Sequence, residues 1–511
     1  MKNTFYMYFL LALVQLFYCT SFLPFSRRLK TQYKQHYLKD KFIPVFEEKT
    51  ITVKHNVTLF SKIKSKVFAQ IGSNPKYAND EDYHWFDGDG MIHAIYFNNS
   101  EVIYQNKWIQ TKRLQTEEKW KKKLYLYFGE LKGVHGMVEI MKFSLMQLFG
   151  FIPNYGKGTA NTALLNWNNK IYALHEGDMP YELEINNKEF NISTKQRLFY
   201  PSIYSTTAHP IIDNRMKRIY MYGYNNYDFL QGKFIFNAFD QNMELLKQQN
   251  ISLINNGMTH DVGFVNKFMI IPDMPLKYDV NRILKEQLPI YFDKENGVTR
   301  FGIFDVIDNK KPDWFYFKEN FFIFHFSNVY KNLKGFDIFA CVMDDLHMED
   351  FVEVDNLNNE NHIIRGELRL KKIEINTKKN TTKIIENKYL QNLNVSFPYN
   401  LDFPITSIKN KHEVYCTIFD SSKGYICGYI KINLKNFEYS KPKIFLFKDN
   451  EYGNSEPQPI IIKDKEYLIT FTNNKNDSFI SLINMEKKKS YKIKIPTRIP
   501  PGFHSSIFNL Y

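Results

Sequence analysis

MIHAIYFNNSEVIYQNKW, residues 91–108, decides the class of fold. Apolar and aromatic residues fill 91–97, a polar Asn-Asn-Ser interrupts them, and EVIYQNKW resumes the pattern. Two such runs around a short Asn-containing break predict a β-hairpin. TALLNW, NN and KIYALH (162–175) repeat the arrangement. RIYMYGY, GKFIFNAF, NKFMIIPD, KIFLFKD and EYLITFTN continue the series toward the C-terminus. Short strands spread from about residue 50 to the end of a 511-residue chain predict an all-β architecture, either a propeller or a large barrel. No clean fixed-period repeat runs through them, which argues against strict repeat families.

Helical signals are few. TEEKWKKKLYLYFGEL (116–131) and VEIMKFSLMQLFG (138–150) are the best of them. The second is apolar nearly all round, which fits either a buried helix or an apolar surface that meets a bilayer or guards a lipid entrance. Residues 352–395 are polar and rich in Asn and Lys, and read as a long decorated loop around one or two strands.

The net charge is +14, a value that raises nucleic-acid binding. Its distribution points elsewhere. Residues 1–41 hold seven Lys and Arg against Asp40 alone, and the rest of the chain is only mildly basic. No recognition-helix pattern accompanies the charge, so nucleic acid is not an expected partner. The start reads as targeting: a short basic MKNT, an apolar run FYMYFLLALVQLFYCTSF (5–22), then a basic, nearly acid-free stretch. Residues 1–22 are expected to be a signal peptide and 23–49 a transit-like segment, with the body at 50–511. That order predicts entry into the secretory pathway and delivery to a plastid, with secretion or the endomembrane system as the alternative. Cys19 lies in the apolar run, and Cys341, Cys416 and Cys427 lack paired metal spacing. Neither a disulfide framework nor a cysteine metal site is expected.

Four of the thirteen histidines share a setting inside or beside an apolar run: His209 in TTAHPIID, His260 in GMTHDVGF, His325 in IFHFSN and His504 in PGFHSSIF. No local metal motif has their spacings. Burying a polar group without a partner costs about 2–7 kcal/mol, so four such settings invite one common explanation. A propeller supplies one, because each blade can send a strand to a shared axis.

At this point the chain resembles a known family. YHWFDGDGMIHAIYF (83–97), YQNKWIQTKRL (104–114), KGTANTALLNWNNKIYALHEGDMPYELE (157–184), TTAHPIID (206–213), MTHDVGFVNKFMIIPDMPL (258–276), TRFGIFD (299–305), FHFSNVY (324–330) and RIPPGFHSSIF (498–508) follow in order. Together they are similar to the carotenoid cleavage oxygenases, which include the retinoid isomerase of the visual cycle. The resemblance implies a seven-bladed β-propeller with a loop and helix cap on one face. It implies one Fe(2+) per chain, held by His209, His260, His325 and His504. Neutral imidazoles suit ferrous iron. Zinc is the rival on ligand type, but it cannot activate O2 by redox. The family supports its histidines with three glutamates. Glu176 in LHEGDMPY matches the first and Glu456 in NSEPQPI the last. The residue before Phe-Pro in VSFPYN is Ser396, a shorter and uncharged replacement for the middle one. Thr162 in ANTAL resembles the threonine of oxygenase members, whose methyl limits what binds beside the iron.

The activity implied is oxidative cleavage of a conjugated C=C bond in a carotenoid or apocarotenoid, with an apolar isoprenoid and O2 as substrates. Peripheral membrane association goes with such a substrate. Two other readings stay open: a stilbene-cleaving dioxygenase of the same family, and a weakly active or non-catalytic isoprenoid-binding propeller. Other residues have plain readings. Asp87 and Asp89 in DGDG suit a turn, His84 and His93 a structural role, and Asp261 the ordering of a loop. Strand alternation points His175 away from the metal.

Overall fold

The structure, a computed structural model, describes residues 36–509 apart from 39, 78–82, 187–189, 225–231, 309, 352–365, 394–398, 421–423 and 449. The apolar run at 1–22 and the basic stretch to residue 35 therefore lie outside the described residues, and so does Ser396.

Both hairpins form as the sequence predicts. Gly90–Asn98 and Glu101–Trp108 pair antiparallel, from Met91 opposite Trp108 to Asn98 opposite Glu101. Ala163–Trp167 and Lys170–Leu174 pair from Ala163 opposite Leu174 to Trp167 opposite Lys170. The turn of the second is Asn168-Asn169, with φ of +48° and +62°. Positive φ at both central residues is the turn whose twist matches that of its strands, and asparagine tolerates the left-handed region better than most residues. These asparagines thus shape the fold, although the Asn-rich composition alone hides it.

The described strands are all paired antiparallel and build successive sheets along the chain. The first has the order Lys49–Lys54, Glu101–Trp108, Gly90–Asn98, Lys66–Ser73 and Ser505–Asn509, so the C-terminal strand closes onto an N-terminal one. Four-stranded sheets follow at 163–197, 211–252, 263–316 and 322–385, and a nine-stranded sheet spans 399–495. The Asn/Lys-rich region at 352–395 contributes Leu368–Asn376 and Thr381–Ile385 to one of these sheets.

The terminal strands of these sheets position the site. His209 lies just before Ile211–Asp213, His260 just before Gly263–Val265, and His504 immediately before Ser505–Asn509. His325 lies within Phe322–Lys331. Each of these strands stands at one end of its sheet.

Two helices form with bounds shifted from the expected segments. α1, Lys112–Trp120, starts and ends earlier than the 116–131 pattern suggests. Thr111 caps it by accepting the Leu114 N–H, and Lys121 ends it at φ +54°. The Glu117 carboxylate then accepts the N–H groups of Leu124 and Tyr125, which folds the chain back. α2, Gly133–Leu148, buries only Gly133 and Gly136. Val134 is 78% and Leu148 77% exposed, so this is a surface helix with an apolar face, not a core helix.

Part of the segment expected to be basic and transit-like packs into the body. Tyr37, Leu38 and Phe42 are buried, and the Tyr37 ring stacks on Trp85 with centroids 5.4 Å apart. Arg498 donates to the Lys41 carbonyl at 3.2 Å.

Candidate metal centre

Four imidazoles from distant segments converge. His209 Nε2 lies 3.0 Å from His260 Nε2, which lies 3.4 Å from His325 Nε2. The His504 ring centroid is 4.7 Å from that of His209 and 5.0 Å from that of His325. One ligand-capable atom from each of the four falls within 4.8 Å of the others. Two imidazole nitrogens bound at right angles to one ion at about 2.1 Å stand about 3.0 Å apart, so the spacing suits a shared cation.

Carboxylates stand behind three of the rings. Asp402 Oδ1 is 2.7 Å from His325 Nδ1. Glu456 Oε2 is 3.2 Å from His504 Nδ1. Glu176 Oε1 is 2.8 Å from His260 Nδ1, a close but bent contact. A proton kept at Nδ1 leaves the Nε2 lone pair free to face the centre, which is how metal-bound histidines are normally oriented. Among the described residues no carboxylate contacts His209, whose backbone N–H donates to Thr207 Oγ1 at 2.9 Å.

For His209 and His325 the electrostatics agree with ligation by neutral imidazole. Burial, reinforced by the neighbouring histidines, holds His209 and His325 well below the usual histidine pKa. Burial also pulls His260 down, but Glu176 and Asp261 outweigh it and leave the pKa raised. Burial pushes the Asp402 carboxyl up to about 7. Glu176 is held well below the carboxylate range: burial opposes its ionisation, but His260, with His175 and His209, more than compensates.

The place assigned to Ser396 is held by Asp402. Phe-Pro occurs twice here, at 397–398 and 403–404, and the second pair is the one preceded by an acid. Ser396 precedes the first pair, and Asp402, six residues on, precedes the second. The strand Tyr399–Thr406 bulges between Asp402 and Ile405, with Phe403 at φ +47°. That bulge places the Phe403 ring centroid 4.9 Å from both His325 and His504. The acid-Phe-Pro signal could have identified Asp402; nothing local marks the role of Phe403.

Thr162 lies beside the centre. Its carbonyl accepts the His504 N–H at 3.3 Å, and its hydroxyl donates to Asn161 Oδ1 at 3.0 Å. The residues given plain readings have partners outside the histidine cluster. Asp87 accepts the N–H groups of Phe128 and Gly129, and Asp89 that of Lys76. His93 Nδ1 is 2.9 Å from the Tyr104 hydroxyl, and His175 Nδ1 accepts the Gly177 N–H.

Residues 63–508 match the family model described as retinal pigment epithelial membrane protein. The chain belongs to this family, the carotenoid cleavage oxygenases that its motifs resemble. Carotenoid 9,10(9',10')-cleavage dioxygenase 1 of Pisum sativum is 26% identical over 92% of this chain and 89% of its own length. Among solved structures, a mutant of the Synechocystis apocarotenoid oxygenase covers 92% of this chain and 98% of its own, with a TM-score of 0.71 at 16% identity. The lignostilbene dioxygenase of Pseudomonas brassicacearum covers 93% and 99%, with a TM-score of 0.73 at 15% identity. Sequence identities this low establish the family's fold in those two cases and leave the substrate to the site.

Proposed function

We propose that the protein is an iron(II)-dependent dioxygenase, with one ion per chain, that cleaves a conjugated C=C bond of a carotenoid or apocarotenoid into two carbonyl products. The observation that carries this reading is the convergence of the four Nε2 atoms with three carboxylates behind them. We read the sheets as seven blades, the nine-stranded sheet dividing near Tyr452–Gly453 into two. The α1–α2 region forms part of the cap.

Iron at this centre would supply electrons to O2 beside the alkene, which zinc on the same nitrogens could not do. The chain's own residues do the rest. Glu176, Asp402 and Glu456 keep the Nδ1 protons in place and resist rotation of the rings. Phe324, 5.7 Å from His260, and Phe403 present apolar faces that exclude water and suit a polyene. Thr162, whose carbonyl accepts the His504 N–H, is the residue whose methyl would limit what binds beside the iron. A binding propeller with a decayed centre would have no reason to keep three carboxylates on three histidines.

The exposed apolar face of α2 continues into Phe149 and Phe151, and the Trp120 ring meets Phe151 at 6.0 Å. Lys119 and Lys121 flank Trp120 on the exposed side. No helix among the described residues is long and apolar enough to cross a membrane. Exposed apolar side chains with lysines beside them suit peripheral docking on an anionic bilayer, the place from which an apolar substrate would enter. Leu148→Glu with Phe149→Glu is expected to abolish co-sedimentation with anionic vesicles while leaving the thermal midpoint unchanged. Unaltered sedimentation of the double variant would remove this surface from the account. The N-terminal order of apolar run and basic stretch supports plastid delivery through the secretory route.

The substrate class is tested by loading the protein anaerobically with Fe(II), adding O2 with a panel of carotenoids, apocarotenoids and stilbenes, and weighing the aldehydes. Isoprenoid aldehydes are expected. Products from stilbenes alone would move the assignment to that branch of the family, and no product from iron-loaded protein would favour a binding role.

A further inference from the structure

We infer that Asp261 is a positioning residue that clasps the segment carrying His260 to the strand carrying His325 and so fixes the separation of these two rings. The inference rests on reading the four histidines as a metal site. Asp261 is 8% exposed and follows His260 directly. Its Oδ1 accepts the Val262 N–H at 2.7 Å, which orders its own loop. Its Oδ2 accepts the Phe326 N–H at 2.7 Å, in a different sheet and 65 residues away.

The chain needs a partner at that point. Phe322–Lys331 ends its sheet, so alternate N–H groups face away from the ladder. Its pairing with Gly335–Met343 also shifts register between Ile323 and Phe326 and again between Phe326 and Asn328. His325 therefore sits in a bulge, which re-aims a side chain at the expense of ladder bonds. Asp261 takes up the N–H next to that bulge. The strand that follows it, Gly263–Val265, lies close against the same region: a Cβ on Gly263 would come within 2.8 Å of Val329 Cγ2 and 3.1 Å of Phe326 Cδ1. On the other side, the Tyr222 hydroxyl donates to the His260 carbonyl at 2.5 Å. Glu176 and Asp402 govern how the two rings turn, while Asp261 governs how far apart their backbones stand.

Both contacts use an oxygen of the carboxylate. Asparagine offers one acceptor and sets an amide NH2 against the other N–H, so Asp261→Asn is the informative variant, with Asp261→Ala beside it. Asp273→Ala is the control: its buried carboxylate accepts the Ile254 and Asn255 N–H groups and pairs with Arg300, none of them a histidine or next to one. Three readouts separate the roles: Fe(II) affinity by anaerobic competition, the visible spectrum of the Co(II)-substituted protein, and amide exchange across 322–331 in metal-free protein. Asp261→Asn is expected to bind Fe(II) about 10- to 100-fold more weakly, to shift the Co(II) bands and to exchange faster at 322–331. Asp273→Ala is expected to lose thermal stability and keep metal affinity. Wild-type affinity and spectrum in Asp261→Asn, or equal metal loss in the control at matched stability, would overturn the clasp. If wild-type protein itself holds no metal, the proposed function fails, and unchanged exchange at 322–331 in Asp261→Asn separately defeats the clasp.

Discussion

His260→Ala is expected to lose the metal and, with it, all cleavage. Structural Zn2+ sites of four ligands bind at about 10–16 kcal/mol and Fe(II) binds the same donors more weakly, so an equal share for one ligand of four is at most about 3 kcal/mol, or about 150-fold in affinity. The loss should exceed that share, because the His260 Nε2 is the nitrogen adjacent to both His209 and His325. The variant also leaves Glu176 without its 2.8 Å partner, and removing one member of a buried pair costs about 3–5 kcal/mol. His209→Ala avoids that complication, since no carboxylate among the described residues contacts His209, and it should lose metal with the fold intact. Metal content by mass spectrometry, with circular dichroism alongside, checks both. Stoichiometric iron in either purified variant would contradict the four-histidine assignment.

Asp402→Ala is the second large effect. It removes the acceptor 2.7 Å from His325 Nδ1 and frees the ring to rotate or to change tautomer. Loss of such a partner typically costs about 10- to 100-fold in metal affinity or activity. Asp402→Asn keeps an acceptor without the charge and should fall between alanine and wild type. Ser396→Ala should leave Fe(II) affinity at the wild-type value. The opposite ranking, with Ser396→Ala weakened and Asp402→Ala intact, would restore Ser396 to the role that Asp402 holds.

The contrast between these two residues shows what the sequence can and cannot carry. The hairpins at 91–108 and 162–175 were legible because their information is local: alternating residues and asparagines at a two-residue turn. The four histidines were legible as a set because each keeps a distinctive local context, although only the fold explains how segments so far apart meet. Asp402 was not legible, because Phe-Pro occurs twice and the choice depends on a bulge with positive φ at Phe403, which no residue type announces. The exposure of α2 was not legible either. An apolar helix looks the same to a periodicity argument whether its surroundings are core or solvent, and only Val134 and Leu148 in place reveal which. The link from Asp261 to Phe326 needs two sheets to be docked, so the sequence supports only the weaker reading of a loop-ordering acid.

The most direct test of the central claim is a single turnover with 18O2. Protein loaded anaerobically with Fe(II) and mixed with an apocarotenoid under 18O2 is expected to give two carbonyl products, each carrying one labelled oxygen, in yield matching the bound iron. Unlabelled substrate recovered intact from fully iron-loaded protein, across carotenoids, apocarotenoids and stilbenes alike, would contradict it.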